Sequence, residues 1–173
     1  MGGFDVRKVT MKYAAILAVC ISFLSAPYVT AQGVPPILIG TWGIGNPYDL
    51  GHPVGIDASQ ESYVRNLEIG YTPNFVYECG AEFAIQSVDI KTWSVKDFMI
   101  RYNFSPESIG LKGSHIVEVF INLIDGAKAC GEGEYRNPGR SIFIGDNKHI
   151  VIEVANDYLP LIRRAGNQPL TKP

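Results

Sequence analysis

His115-Ile116-Val117-Glu118-Val119-Phe120-Ile121-Asn122-Leu123-Ile124 is the longest run of β-branched and aromatic residues in the chain, and such side chains fit a pleated, half-buried strand. Asp125-Gly126 ends it with a turn pair. Downstream, Ser141-Ile142-Phe143-Ile144 and His149-Ile150-Val151-Ile152-Glu153-Val154 flank Gly145-Asp146-Asn147, the pattern of a hairpin. Asn156-Asp157 turns the chain again before Tyr158-Leu159-Pro160-Leu161-Ile162-Arg163. The proline predicts an edge position for that last strand, because it has no N–H to give a ladder. Residues 128–140 read as a Gly- and charge-rich loop, and 166–173 as a flexible tail.

Working back from the same run, Ser94 is a helix N-cap with Asp97 three residues on, and Val95, Phe98, Met99 and Tyr102 share one helical face. Ser105-Pro106-Glu107 opens a second short turn that Gly110 closes. The pair makes a small helical lid over something apolar. Before it, strand patterns cover 67–71, 75–79 and 81–90, the last alternating imperfectly through Phe83, Ile85 and Val88. A short helix capped by Asp57 or Ser59 runs to Arg65, after a turn-rich loop at 48–55. Ile37-Leu38-Ile39-Gly40-Thr41-Trp42-Gly43-Ile44 is the first strand, stopped by Gly45-Asn46-Pro47. Seven or eight short strands with one helical insert predict an all-β, antiparallel sandwich or barrel. An eight-stranded barrel is either filled by its own side chains or holds one small ligand.

The chain has 173 residues, 46% apolar and 18% charged, which suits a single globular domain. Its beginning reads as an address. Arg7, Lys8 and Lys12 precede an apolar run over 13–24, followed by Pro27 and Val29-Thr30-Ala31. That order predicts a secretory signal over 1–31, cleaved after Ala31, and a barrel domain over 32–165. Met1 and Met11 each head a complete signal. Leu17-Ala18-Val19-Cys20 departs from a lipoprotein box at Val19. The mature chain is expected in the periplasm or medium, with no transmembrane segment of its own, since nothing after the signal reaches the ~20 apolar residues of a span. It keeps 12 Lys and Arg against 16 Asp and Glu, a net charge of −4, which excludes a nucleic-acid partner bound through a basic surface. Cys79 and Cys130 survive cleavage, and an even pair in an exported chain predicts one disulfide.

Gly40-Thr41-Trp42 resembles the Gly-x-Trp signature of lipocalins and related calycin barrels. In that family the Trp packs across the closed end beneath a basic side chain from the last strand, a role that the resemblance gives to Arg163 or Arg164. A closer likeness is to exported bacterial lipocalin-like proteins, carried by residues 39–42, 76–79, 94–102, Ile109-Gly110-Leu111 and 143–163. It implies a lipocalin-like barrel of about eight strands and brings no activity with it.

No catalytic pattern stands out. His52, His115 and His149 lack HxxxH or HxH spacing, so no metal site is predicted. There is no Gly-x-Ser-x-Gly elbow. Gly43-Ile44-Gly45 and Gly131-Glu132-Gly133 lack the Lys-Ser/Thr of a phosphate loop, and no cofactor motif is present. Glu78 with Glu82, or Glu132 with Glu134, are the carboxylate pairs available for acid–base work, with nothing to fix their geometry. The sequence reads instead as a non-enzymatic binding protein. Phe98, Tyr102 and Phe120 are the candidate lining of a cavity for a small apolar ligand. The alternative is an inhibitor or immunity-type module of the envelope, whose loops 46–55 and 127–140 wedge into a basic partner protein.

Overall fold

The computed structural model describes residues 33–51, 64–124 and 138–165, all within one compact unit, Ala31–Pro173. Eight strands follow in order: β1 (Gly40–Ile44), β2 (Glu68–Tyr71), β3 (Phe75–Glu78), β4 (Ala81–Ser94), β5 (His115–Leu123), β6 (Ser141–Gly145), β7 (Ile150–Val154) and β8 (Asp157–Arg163). Each pairs antiparallel with the next, and β8 returns to β1 through Trp42↔Arg163, Gly43↔Ile162 and Ile44↔Leu161. The sheet is a closed barrel, in which β4 pairs with β3 through residues 81–84 and with β5 through residues 85–94.

Period-two alternation sorts the side chains. Directly opposed pairs such as Trp42↔Ile69, Tyr71↔Val76, Val119↔Ile142 and Ile152↔Leu159 all point inward. In β4 the register shifts between Ile85 and Ser87. This bulge explains the broken alternation in the sequence, because one extra residue moves the inward phase from Phe83 and Ile85 to Val88 and Ile90. The centre is packed: Val76, Val119, Ile121, Ile142, Ile152 and Leu159 have 0% exposed surface, so no space the size of a water molecule touches them.

A short turn packs against the core at each end. Strand β1 starts at Gly40, later than its sequence pattern suggests, because Leu38 N–H donates to Pro35 O at 2.9 Å and Ile39 N–H to Pro36 O at 3.2 Å. That turn buries Leu38 in the barrel core. A 3-10 turn, Pro138–Arg140, comes in against inward-facing Ile69, Tyr71 and Glu78. Gly139 is required there, since a Cβ would stand 2.9 Å from Ile69 Cγ2 and 3.0 Å from the Tyr71 oxygen.

The helix α1 (Val95–Tyr102) starts where Ser94 Oγ accepts from Asp97 N–H at 3.1 Å, a cap worth about 1 kcal/mol. Asn103 ends it in the left-handed region, and the 3-10 helix Pro106–Ile109 follows, closed by Gly110 at φ 75°. These elements cover the outside of the barrel. Phe98, Ile109 and Leu111 pack on outward-facing Ile116, Phe143, Val151 and Tyr158.

One expectation is corrected. Pro160 is not on an edge, because β8 pairs on both sides. It is tolerated because its carbonyl accepts from Gly45 N–H just past the end of β1, where the ladder is finishing and a missing donor costs little. Of the helix expected to end at Arg65, only Val64 and Arg65 are described, and both are helical. The signal segment, the tail and Cys130 lie outside the described residues.

Candidate functional site

The outward faces of β4 and β5 lie side by side. Register pairs Asp89 with Phe120, Lys91 with Glu118 and Trp93 with Ile116. Asp89, Ile90, Lys91, Trp93, Glu118 and Phe120, with Arg101 from the last turn of α1, line a groove of about 490 Å³ on the barrel's outer wall. Phe120 is 38% exposed.

Glu118 is the fixed point of the groove. Trp93 Nε1–H donates to its Oε2 at 2.7 Å and the Tyr102 hydroxyl to its Oε1 at 2.9 Å. Burial, and then this bond to a carboxylate, push the Tyr102 hydroxyl well above the usual phenol range. Asn122 Nδ2 donates to Asp89 Oδ2 at 2.8 Å and to Ser87 Oγ at 2.9 Å. Cations lie over the rings: Lys91 Nζ is 3.6 Å from the Trp93 centroid and Arg140 Cζ is 5.3 Å from that of Phe120. Contacts of this kind are worth about 0.5–1 kcal/mol where exposed.

Behind the groove is an aromatic layer. Phe98 lies 4.6 Å from Tyr102 and 5.8 Å from Phe143, and Tyr102 meets Phe143 edge-on at 5.2 Å. The three candidate lining residues therefore stand at three depths. Phe120 lines the groove, Tyr102 braces Glu118 from behind, and Phe98 is fully buried beneath the helix. The space under α1 is filled, because Phe98, Ile116, Phe143 and Val151 have 0% exposed surface. Glu153, on the same wall, accepts from Ser141 Oγ at 3.1 Å. Burial and the nearby Glu118 charge raise its pKa against the lowering effect of that bond.

Inside the barrel, Glu78 is a buried carboxylate. Its Oε2 accepts from Gly139 N–H at 3.2 Å, and its Oε1 has no partner. The Tyr71 hydroxyl donates to Gly139 O at 3.0 Å. Burial pushes Glu78 up to about 7, against the lowering effects of the Gly139 bond and the Arg140 charge. Glu82 takes the opposite face: register pairs it with Tyr77, whose hydroxyl it raises through a hydrogen bond. Glu78 and Glu82 thus do not converge, and Glu132 and Glu134 lie outside the described residues.

At the barrel end, the Arg163 guanidinium lies 4.4 Å over the Trp42 ring and donates to Ile37 O at 2.9 Å and Ile39 O at 3.2 Å. Trp42 Nε1–H donates to Leu38 O at 2.7 Å. Arg164 lies near Glu68 instead. His149 Nε2 and the Tyr48 hydroxyl are 2.6 Å apart, and His115 Nδ1 is 2.8 Å from Ser114 Oγ; His52 is not described. Among the described residues no three His, Cys, Asp or Glu side chains gather as for a metal ion, and no helix is long and apolar enough to cross a membrane. Cys79 follows β3 with φ 54°. Loops 46–55 and 127–140 are described only at 46–51 and 138–140.

Asp89, Lys91, Trp93, Arg101 and Glu118 were not singled out as a site by sequence reasoning. Their signal is period two: 89, 91, 93 and 118, 120 are the outward positions of two neighbouring strands, but the register that aligns them is set by the bulge at 85–87. Comparison of the chain with protein-family models, curated proteins and solved structures finds no match.

Proposed function

We propose that this chain is an exported, lipocalin-like binding protein without catalytic chemistry of its own, and that it takes its ligand on the outer wall of the barrel. The observation that carries this reading is the contrast between a core whose central side chains have 0% exposed surface and an exterior groove holding a 38% exposed Phe120. A binding site needs an accessible concavity with a few fixed polar groups, and the groove supplies both. Glu118, with one bond accepted on each oxygen, serves as an oriented acceptor. The likeness to lipocalins is supported by the closed eight-strand meander and the Trp42–Arg163 stack. Export is supported by the order of charges and apolar residues in 1–31. A Cys79–Cys130 bridge is supported by the even pair of cysteines left after signal cleavage.

The chain has two tryptophans, Trp42 and Trp93, so an ¹⁵N-labelled sample reports both regions through two indole N–H signals, assigned with Trp93→Phe. Titration with neutral, anionic and apolar small molecules is expected to move the Trp93 signal and leave Trp42 in place. Movement of Trp42 alone, or of neither, contradicts the reading.

A further inference from the structure

We propose that two copies of this chain pair through the free edge of β4, in an antiparallel dimer whose twofold axis passes beside Ile90. The ladder to β3 uses only residues 81–84 of β4, and the Ile85 N–H to Asn74 O bond at 2.9 Å follows it. Beyond that point, residues 86–94 have β5 on one side and, among the described residues, no strand on the other. Directly opposed residues of an antiparallel ladder exchange both backbone bonds or neither, in alternation. Ile121, opposite Val88, turns its carbonyl away from β4, where Arg140 Nε–H donates to it at 3.0 Å. Val88, and by alternation Ile90 and Thr92, therefore point N–H and C=O out of the free edge. No backbone hydrogen bond among the described residues meets them there. The helix α1 leaves this edge open, since it buries Phe98 against Ile116 of β5 and Phe143 of β6. Such a row of donors and acceptors is a template for another strand.

The residues of the edge select a second copy as that strand. A twofold pairing centred on Ile90, the midpoint of 86–94, sets Ile90 against the partner's Ile90 and Val88 against the partner's Thr92. All three face the edge, so their backbone groups meet as bonded pairs. Asp89 then falls opposite the partner's Lys91, and Lys91 opposite the partner's Asp89, at the non-bonded positions where side chains stand closest. Opposite charges facing each other across a ladder are favourable and like charges unfavourable. Centring the axis on Asp89 or Lys91 would put like charges face to face. Centring it on Val88 or Thr92 would run the ladder into the bulge at 85–87 or into α1. The Ile90 register avoids both faults, and it covers the part of Ile90 that the core leaves exposed. Outward faces stay on one side of the joined sheet, so the two grooves meet across the seam.

This surface adjoins the groove, but its test needs no ligand, so dimer and ligand site can each fail alone. Sedimentation equilibrium of the exported chain from about 10 µM to about 1 mM is expected to give a monomer–dimer equilibrium. Its Kd is expected on the order of 0.1 mM, in the weak range of small interfaces. In ¹⁵N-labelled protein the Val88, Ile90 and Thr92 amides are expected to exchange with solvent several-fold more slowly at the highest concentration than at the lowest. Those of Asp89 and Lys91, bonded to β5, are expected to stay protected at both. Asp89→Lys and Lys91→Asp, at exposed positions, are each expected to weaken association about tenfold or more. The double swap is expected to dimerise again, and a mixture of the two single variants to form a heterodimer. Circular dichroism of each variant checks that the barrel is kept. A monomer at the highest concentration, or a dimer indifferent to the single swaps, overturns the proposal. So do amides at 88, 90 and 92 that are protected at every dilution.

Discussion

The carboxylate of Glu78 accepts a hydrogen bond from the backbone N–H of Gly139 inside the barrel, 61 residues away in sequence. This contact ties the end of the β5–β6 connection to the core. Arg140, the next residue, donates through Nε to Ile121 O at 3.0 Å and lies over Phe120. The same turn therefore reaches from the barrel interior to the rim of the outer groove.

Because burial raises Glu78 to about 7 from 4.5, the folded chain binds its proton more tightly than the unfolded chain does. The contribution of Glu78 to stability is then greatest at or below about pH 4.5 and falls as pH rises towards 7, by roughly 2–3 kcal/mol for a shift of this size. Glu153 is raised as well and adds slope of the same sign. Urea denaturation of Glu78→Gln across pH 5–8 is expected to show a markedly flatter profile than wild type. An unchanged profile refutes the assignment.

Gly139→Ala tests the fit of the same turn. A Cβ would sit 2.9 Å from Ile69 Cγ2 and 3.2 Å from Glu78 Oε2, and overpacking of this kind costs about 1–3 kcal/mol. The loss is read from the urea midpoint.

At the opposite end, Arg163→Met removes two backbone hydrogen bonds and the stack on Trp42. Because the guanidinium is exposed, the expected loss is about 1–2 kcal/mol. Trp42 fluorescence is expected to shift to the red in a Trp93→Phe background. Arg163→Lys keeps the charge without the planar fork, so it is expected to recover only part of the loss.

For the proposed Cys79–Cys130 bridge, non-reducing peptide mapping of the exported chain is expected to yield one linked pair. Reduction is expected to lower stability by up to about 4 kcal/mol. Two free thiols in the mapped chain contradict the bridge.

Much of the barrel was legible in the sequence. Alternation across 115–124, the Ser94 cap and the Gly145-Asp146-Asn147 turn each depend on neighbouring residues, and β5, α1 and the β6–β7 hairpin stand where these place them. Features set by distant partners were not legible. The fate of Pro160 depends on β1 arriving beside it, and the start of β1 depends on a proline turn that overrides a β-branched run. The site was legible only in part for the same reason. Phe120 was visible as an aromatic, but its outward direction follows from parity with Val119 and Ile121. Its neighbours Asp89 and Arg140 follow from register and a turn that no local pattern encodes.

The most direct measurement follows the Trp93 indole N–H and the δ1 methyls of Ile142 and Ile152 in one labelled sample, as the first ligand found to bind is added. Binding on the outer wall predicts a saturable shift at Trp93 while the two core methyls stay in place. Shifts at Ile142 and Ile152 with Trp93 unmoved would put the ligand inside the barrel and contradict the account.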